Sequence, residues 1–248
     1  MRIAIAIALL SALDAHAGAS EGFTNGPARA ILIELYTSEG CSSCPPADQW
    51  LGELRGKPGL WTEFVPVEFH VNYWDSLGWT DRLSTADFTA REYAYASSWG
   101  ADPYTPCFVR NGVQWKPSWG GPAGLAAPTG VLSIELGDDG NCRAEFRPGP
   151  GARPEIDEGY DIHVALLGGG ISSNVTQGEN QGKTLKHEFV VLGLANQILL
   201  REAGSPALDA TVALPRPIAT GATRHALAAW VTRHGELEPI QAAGGWLP

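Results

Sequence analysis

The chain has 248 residues, with 27 acidic side chains against 17 basic ones, and its net charge of −10 excludes nucleic acid as a natural partner. Its length and its 44 % apolar content suffice for one large domain or two small ones, and four cysteines are too few to be the scaffold. Methionine occurs once, as Met1, so there is no internal thioether ligand.

Arg2 precedes an apolar run, Ile3 to Leu13, too short to span a bilayer, and Ala15-His16-Ala17 fits a small-x-small cleavage pattern. Residues 1–17 are therefore expected to be a signal peptide cut near Ala17. The mature chain is then periplasmic or secreted and not membrane-spanning. Gly18 to Pro27 is Gly-rich and polar and reads as a flexible lead-in.

Residues 30–36 form a β-branched apolar strand. Glu34 inside it either faces outward or, upstream of the first thiols, accepts a proton from Cys44. After a polar turn comes Cys41-Ser-Ser-Cys44, and Pro45-Pro46 then opens a helix over Ala47 to Leu54. Two thiols at a helix amino end suit disulfide exchange, because the helix dipole favours a thiolate. Cys41 would be the nucleophile and leaving group, and Cys44 the resolving thiol. A static disulfide or half of a zinc site is the plainer reading of the same spacing.

Residues 62–71 make a second strand, in which Pro66 marks a start or an edge. His70 ends it, as a packing residue, a general base or a metal ligand. Tyr73, Trp74 and Trp79 follow as core or pocket wall, and Thr80 to Ser98 reads as a helix closed by Gly100. Thr105-Pro106 is a candidate cis bond. Phe108 to Arg110 is a short strand, and Asn111-Gly112 is a favoured two-residue hairpin turn. Residues 116–130 are rich in Gly, Pro and Ala, with at most a short helix over 122–127. Strands then follow at 131–136, 142–146, 160–167, 185–192, 209–214, 224–233 and 236–241, the texture of an antiparallel sheet or sandwich. His163, His187, His225 and His234 lie in or beside these strands and read as structural or surface residues.

The order of elements resembles the thioredoxin fold, at Cys41-Ser-Ser-Cys44, at Thr105-Pro106 and at the hairpin from Phe108 to Val113. That resemblance implies that Pro106 is a cis-proline packed near the thiols and that the Thr105 backbone holds a substrate chain. It also implies a buried acid under the second cysteine. Glu34 lies near that position, one residue further from Cys41, and is Glu rather than Asp. The runs Glu34 to Asp48, His70 to Asp75 and Gly178-Glu-Asn-Gln-Gly-Lys-Thr-Leu185 are similar to the exported domain-of-unknown-function family 1223 over nearly the whole mature chain. Cys107 stands where that family has Gln after Thr-Pro. Export makes a Cys107–Cys142 disulfide the favoured expectation, exchange of Cys107 with Cys41 and a shared metal site being the other options.

The expected fold is a thioredoxin-like α/β domain over 28–125 followed by a mainly antiparallel, sandwich-like β domain over 131–248. The expected function is thiol–disulfide oxidoreduction without a cofactor, acting on protein thiols and disulfides or on an exported redox partner. Two alternatives stand beside it. One is a copper-binding module with Cys41, Cys44 and His70 as ligands. The other is a non-enzymatic binding protein with an inert disulfide, working through the β domain and the loop at Glu179 to Thr184.

Overall fold

The computed structural model describes residues 21–119, 126–152, 159–214, 216–218 and 220–248. The expected signal peptide lies outside them, as does most of the short helix expected over 122–127. The strands are β1 (Glu21–Asn25), β2 (Ala28–Arg29), β3 (Ile31–Thr37), β4 (Phe64–His70), β5 (Cys107–Arg110), β6 (Val113–Trp115), β7 (Ala126–Pro128), β8 (Gly130–Leu136), β9 (Asn141–Pro148), β10 (Tyr160–Gly169), β11 (Ile171–Asn174), β12 (Thr184–His187), β13 (Val190–Arg201), β14 (Leu208–Ala213), β15 (Arg224–Arg233) and β16 (Pro239–Trp246). Two α-helices, α1 (Pro45–Glu53) and α2 (Ala86–Trp99), are present among the described residues.

The fold is mostly β, built on one mixed sheet of 12 strands among the described residues. Hydrogen bonding runs unbroken from β16 through β15, β10, β13, β4, β3 and β5 to β6. The far end of β13 also carries β14, β9, β8 and β1. A thioredoxin-like α/β domain followed by a mainly antiparallel, sandwich-like β domain was expected. The two parts share one sheet: β13 joins them, pairing Val190 with Glu68 of β4 in parallel and Leu200 and Arg201 with β14 antiparallel. Of the expected flexible lead-in, the described residues from Glu21 on begin with a strand. β1 pairs antiparallel with β8, and Phe23 packs beside the second core, over Gly245, where a Cβ would collide with its ring.

β3 lies between β4 (parallel) and β5 (antiparallel) and is buried along its whole length, so it reads as a continuous apolar run rather than an alternating one. Odd-numbered β3 residues face α1: Thr37 Oγ1 bonds Asp48 of that helix at 2.7 Å. Even-numbered ones face α2: Tyr36 meets Tyr95, and Glu34 meets Arg91. Pro66 falls inside β4 rather than at its start. Its missing N–H faces the side that β13 joins only from Glu68 onward, so no ladder bond is lost.

The Thr85 side chain caps α2 by accepting from the Phe88 N–H at 3.1 Å, which starts that helix six residues later than expected. Asn111 (φ 48°) and Gly112 (φ 82°) make the expected turn between β5 and β6. A single strand over 185–192 was expected. Phe189, at φ 61°, splits it, so His187 ends β12 and Val190 starts β13.

Two cores result. One surrounds β3 and β4; the other lies between the layer β8, β9, β14 and the layer β10, β15, β16. β15 serves both, with Ala226, Ala228 and Trp230 in the first core and Leu227, Ala229 and Val231 in the second.

Candidate functional site

Cys41 and Cys44 form a disulfide with Cα atoms 5.4 Å apart, on the turn from β3 into α1. Cys44 is the residue before the helix, and Pro45 and Pro46 occupy the first turn, where an amide would lack a partner. Both cysteines are 0 % exposed, while Ser42 and Ser43 between them are open to solvent. The segment joining β11 to β12 is tied to the backbone of this turn. The side-chain amide of Asn180 donates to the carbonyls of Glu39 (2.9 Å) and Cys41 (2.8 Å). Glu179 accepts from the Ser42 N–H at 3.1 Å. The Thr105-Pro106 bond is cis. Trp74 spans from the thiol turn to that loop: it leaves no room for a Cβ on Gly40, and its indole N–H donates to Thr105 Oγ1 at 2.8 Å.

Beneath the disulfide turn lies a buried group of four carboxylates and two imidazoles: Glu39, Asp48, Glu68, His70, Asp81 and His187, none more than 3 % exposed. His70 Nε2 is 2.8 Å from Glu68 Oε1, and its Nδ1 is 2.7 Å from Asp81 Oδ2. His187 Nδ1 lies 3.1 Å from the same Glu68 oxygen and 3.8 Å from Asp48 Oδ2. His187 Nε2 is 3.5 Å from Glu39 Oε1. Asp81 is held further by the N–H groups of Glu39 and Leu83, both at 2.9 Å, and Glu39 by the indole N–H of Trp79 at 2.7 Å.

Burial is the largest influence on every pKa here, and the neighbours reverse its sign for all of the group but Asp48. Burial works to lower both imidazoles. Asp81 nonetheless holds His70 well above its usual range, and Glu39 and Glu68 hold His187 at about 9. Burial works to raise Glu68, Glu39 and Asp81, but hydrogen bonds and charge from the imidazoles leave all three lowered. Asp48 is pushed up to about 7 by burial and by the charge of Glu68.

Of the residues expected at a site, Cys41 and Cys44 share the turn that Trp74 links to Thr105, the residue before cis Pro106, and His70 lies in the buried group. Glu34 faces the other way. Its oxygens accept from Tyr36 (2.8 Å), Tyr95 (2.6 Å) and Arg91 (2.8 Å), all on the α2 side of the sheet. Cys107 shares that side, standing opposite Tyr36 in the ladder, and burial raises its thiol to about 12. The expected Cys107–Cys142 disulfide is absent: both are buried free thiols, one in each core. His187, read as structural or surface, sits at the centre of the buried group. Its only sequence signal is that it follows closely on the Gly178–Leu185 run.

A family model described as "Protein of unknown function (DUF1223)" matches residues 32–232. No curated protein matches the chain. Among solved structures, one from Agrobacterium tumefaciens, determined by a structural genomics consortium, is 23 % identical. It superposes with a TM-score of 0.58 over 88 % of this chain and 93 % of the other. HBP35 of Porphyromonas gingivalis is 14 % identical, with a TM-score of 0.60 over 90 % of this chain and 76 % of that one. At such identities the likeness is one of fold. The family match covers most of the length, and the chain accordingly belongs to the DUF1223 family of proteins of unknown function.

Proposed function

We propose that the chain is an exported, thioredoxin-like thiol–disulfide oxidoreductase whose reactive centre is Cys41–Cys44. The reading rests on one observation: the pair is a closed disulfide at the amino end of α1. The order β3, α1, β4, α2, β5, β6, with the Thr105-Pro106 loop tied to the thiol turn through Trp74, supports the thioredoxin-like part. A thiolate of an exported protein dithiol attacks Cys41 Sγ. The S–S bond breaks, and the electron pair leaves on Cys44, whose thiolate forms next to the partial positive charge of the helix. The second substrate thiolate then attacks the substrate sulfur of the mixed disulfide and releases Cys41. The substrate gains a disulfide, and two electrons and two protons end on Cys41 and Cys44. Thr105 and Pro106 present the substrate chain. Run in reverse, the same steps reduce a substrate.

A redox titration of the chain in glutathione buffers, trapped by alkylation and read by peptide mass spectrometry, tests this. Reversible opening and closing of Cys41–Cys44, lost in Cys41→Ser, is the expected result. A bond that stays closed across the whole range would make it an inert structural link and sink the proposal.

A further inference from the structure

We propose that Glu68, His70 and His187 form a binding site for a zinc-like divalent cation, with Asp48 as the fourth ligand. The site is separate from the thiols and does not depend on their chemistry.

The donor atoms already converge. One oxygen of Glu68, one nitrogen of His70 and one of His187 all lie within 4.8 Å of one another. A tetrahedral zinc with bonds of about 2.05 Å keeps its ligand atoms roughly 3.3 Å apart. The observed separations of 2.8 Å (His70–Glu68), 3.1 Å (His187–Glu68) and 3.8 Å (His187–Asp48) bracket that spacing. Shifts of a few tenths of an ångström would fit them to a cation.

The surroundings match what metal-bound imidazoles need. Each histidine turns its other nitrogen toward a second carboxylate: His70 Nδ1 toward Asp81 at 2.7 Å and His187 Nε2 toward Glu39 at 3.5 Å. Such outer carboxylates orient a ligating imidazole and increase its basicity. They are anchored in turn, Asp81 by two backbone N–H groups and Glu39 by Trp79.

The cluster is also incomplete as a purely hydrogen-bonded one. Glu68 Oε2, on the proposed ligand itself, is buried without a hydrogen-bond partner, and Glu39 Oε1 and His187 Nε2 face each other only at 3.5 Å. An unmatched polar atom in a dry interior is costly, and four carboxylates outnumber two imidazoles. A dication among them supplies the missing charge. Nitrogen and oxygen donors in this mixture suit zinc rather than copper(I), which prefers thiolates. A groove of about 500 Å³ between α1 and β12 reaches Asp48 and offers a way in.

The test uses the full mature chain, stripped with a chelator and titrated with zinc against a chromophoric competitor. One equivalent is expected, with a Kd below about 1 µM. His187→Gln and Glu68→Gln should each weaken binding by about 100-fold or more, and Asp81→Asn by about 10-fold. Cys41→Ser with Cys44→Ser should leave it unchanged. Cobalt(II) added to the unsubstituted protein gives a readout that does not depend on the variants folding: tetrahedral d–d bands without thiolate charge transfer. The proposal fails if the folded protein takes up neither metal. It fails equally if folded His187→Gln and Glu68→Gln still bind, or if cobalt shows thiolate bands.

Discussion

His163 is the residue whose surroundings make the plainest pH statement. Its ring stacks on Trp230 with centroids 5.3 Å apart, Nδ1 meets Asn196 at 2.7 Å, and Nε2 meets Thr232 at 3.0 Å. Burial, helped by the charge of Arg91, lowers its pKa from 6.5 to about 4. The unfolded chain therefore takes up a proton before the folded one does. The stability this neutral ring contributes is complete above pH 6.5 and is lost as the pH falls toward 4. The loss should be on the order of 2 kcal/mol, less than full linkage would give for a completely buried ring. Urea unfolding at several pH values, with His163→Gln as control, checks it: the variant should show a shallower acid slope between pH 6.5 and 4. An equal slope in both proteins would refute the assignment. Glu34 shows a different lesson at this scale. Arg91 approaches it from beneath the Phe69, Tyr95 and Trp230 rings, 5.2 to 5.6 Å from their centroids. The carboxylate thus belongs to a buried ion pair that fastens α2 to the sheet. One residue of phase along β3 decides this, because neighbouring side chains leave opposite faces.

Among the elements, the segment between β11 and β12 is hydrogen-bonded to the backbone of the disulfide turn at Glu39, Cys41 and Ser42. Its hold on the thiol turn is polar and local, through Asn180 and Glu179. Asn180→Ala should leave the fold intact and speed reduction of Cys41–Cys44 by a small-molecule dithiol by about 10-fold, the effect of losing roughly 1.4 kcal/mol of closure. Stopped alkylation with time would measure it, and an unchanged rate would show that access to the bond is set elsewhere. Elements of this kind were only partly legible in the sequence. The thiol turn, the hairpin at Asn111-Gly112 and most late strands declare themselves, because local chemistry or alternation specifies them. The buried group does not. Glu39, Asp48, Glu68, Asp81 and His187 come from five separate stretches, and only the sheet order unites them. Glu68 and His70 left one trace, two ionisable residues in an otherwise apolar strand. The break at Phe189 was hidden because a bulky residue in a left-handed conformation is not what a turn usually recruits. The expected Cys107–Cys142 bond followed from redox compartment alone, which carries no information about which core receives each thiol.

For the whole molecule, the shared strands matter most. β15 puts alternate side chains into both cores, and β13 hydrogen-bonds into both parts of the sheet. Neither part has a complete wall of its own. Heating should therefore give one calorimetric transition whose van't Hoff and calorimetric enthalpies agree, and the segments 28–125 and 131–248 expressed apart should not fold. Two resolved transitions would contradict this. The same arrangement sets a timetable for a chain made from its amino end. Asn180, which donates to the Cys41 carbonyl, follows it by 139 residues, and β15 comes later still. Throughout that interval the two thiols stand uncovered beside an unfinished sheet. Whatever oxidant first meets the emerging chain has its easiest access then, and the final strands close the door on the result.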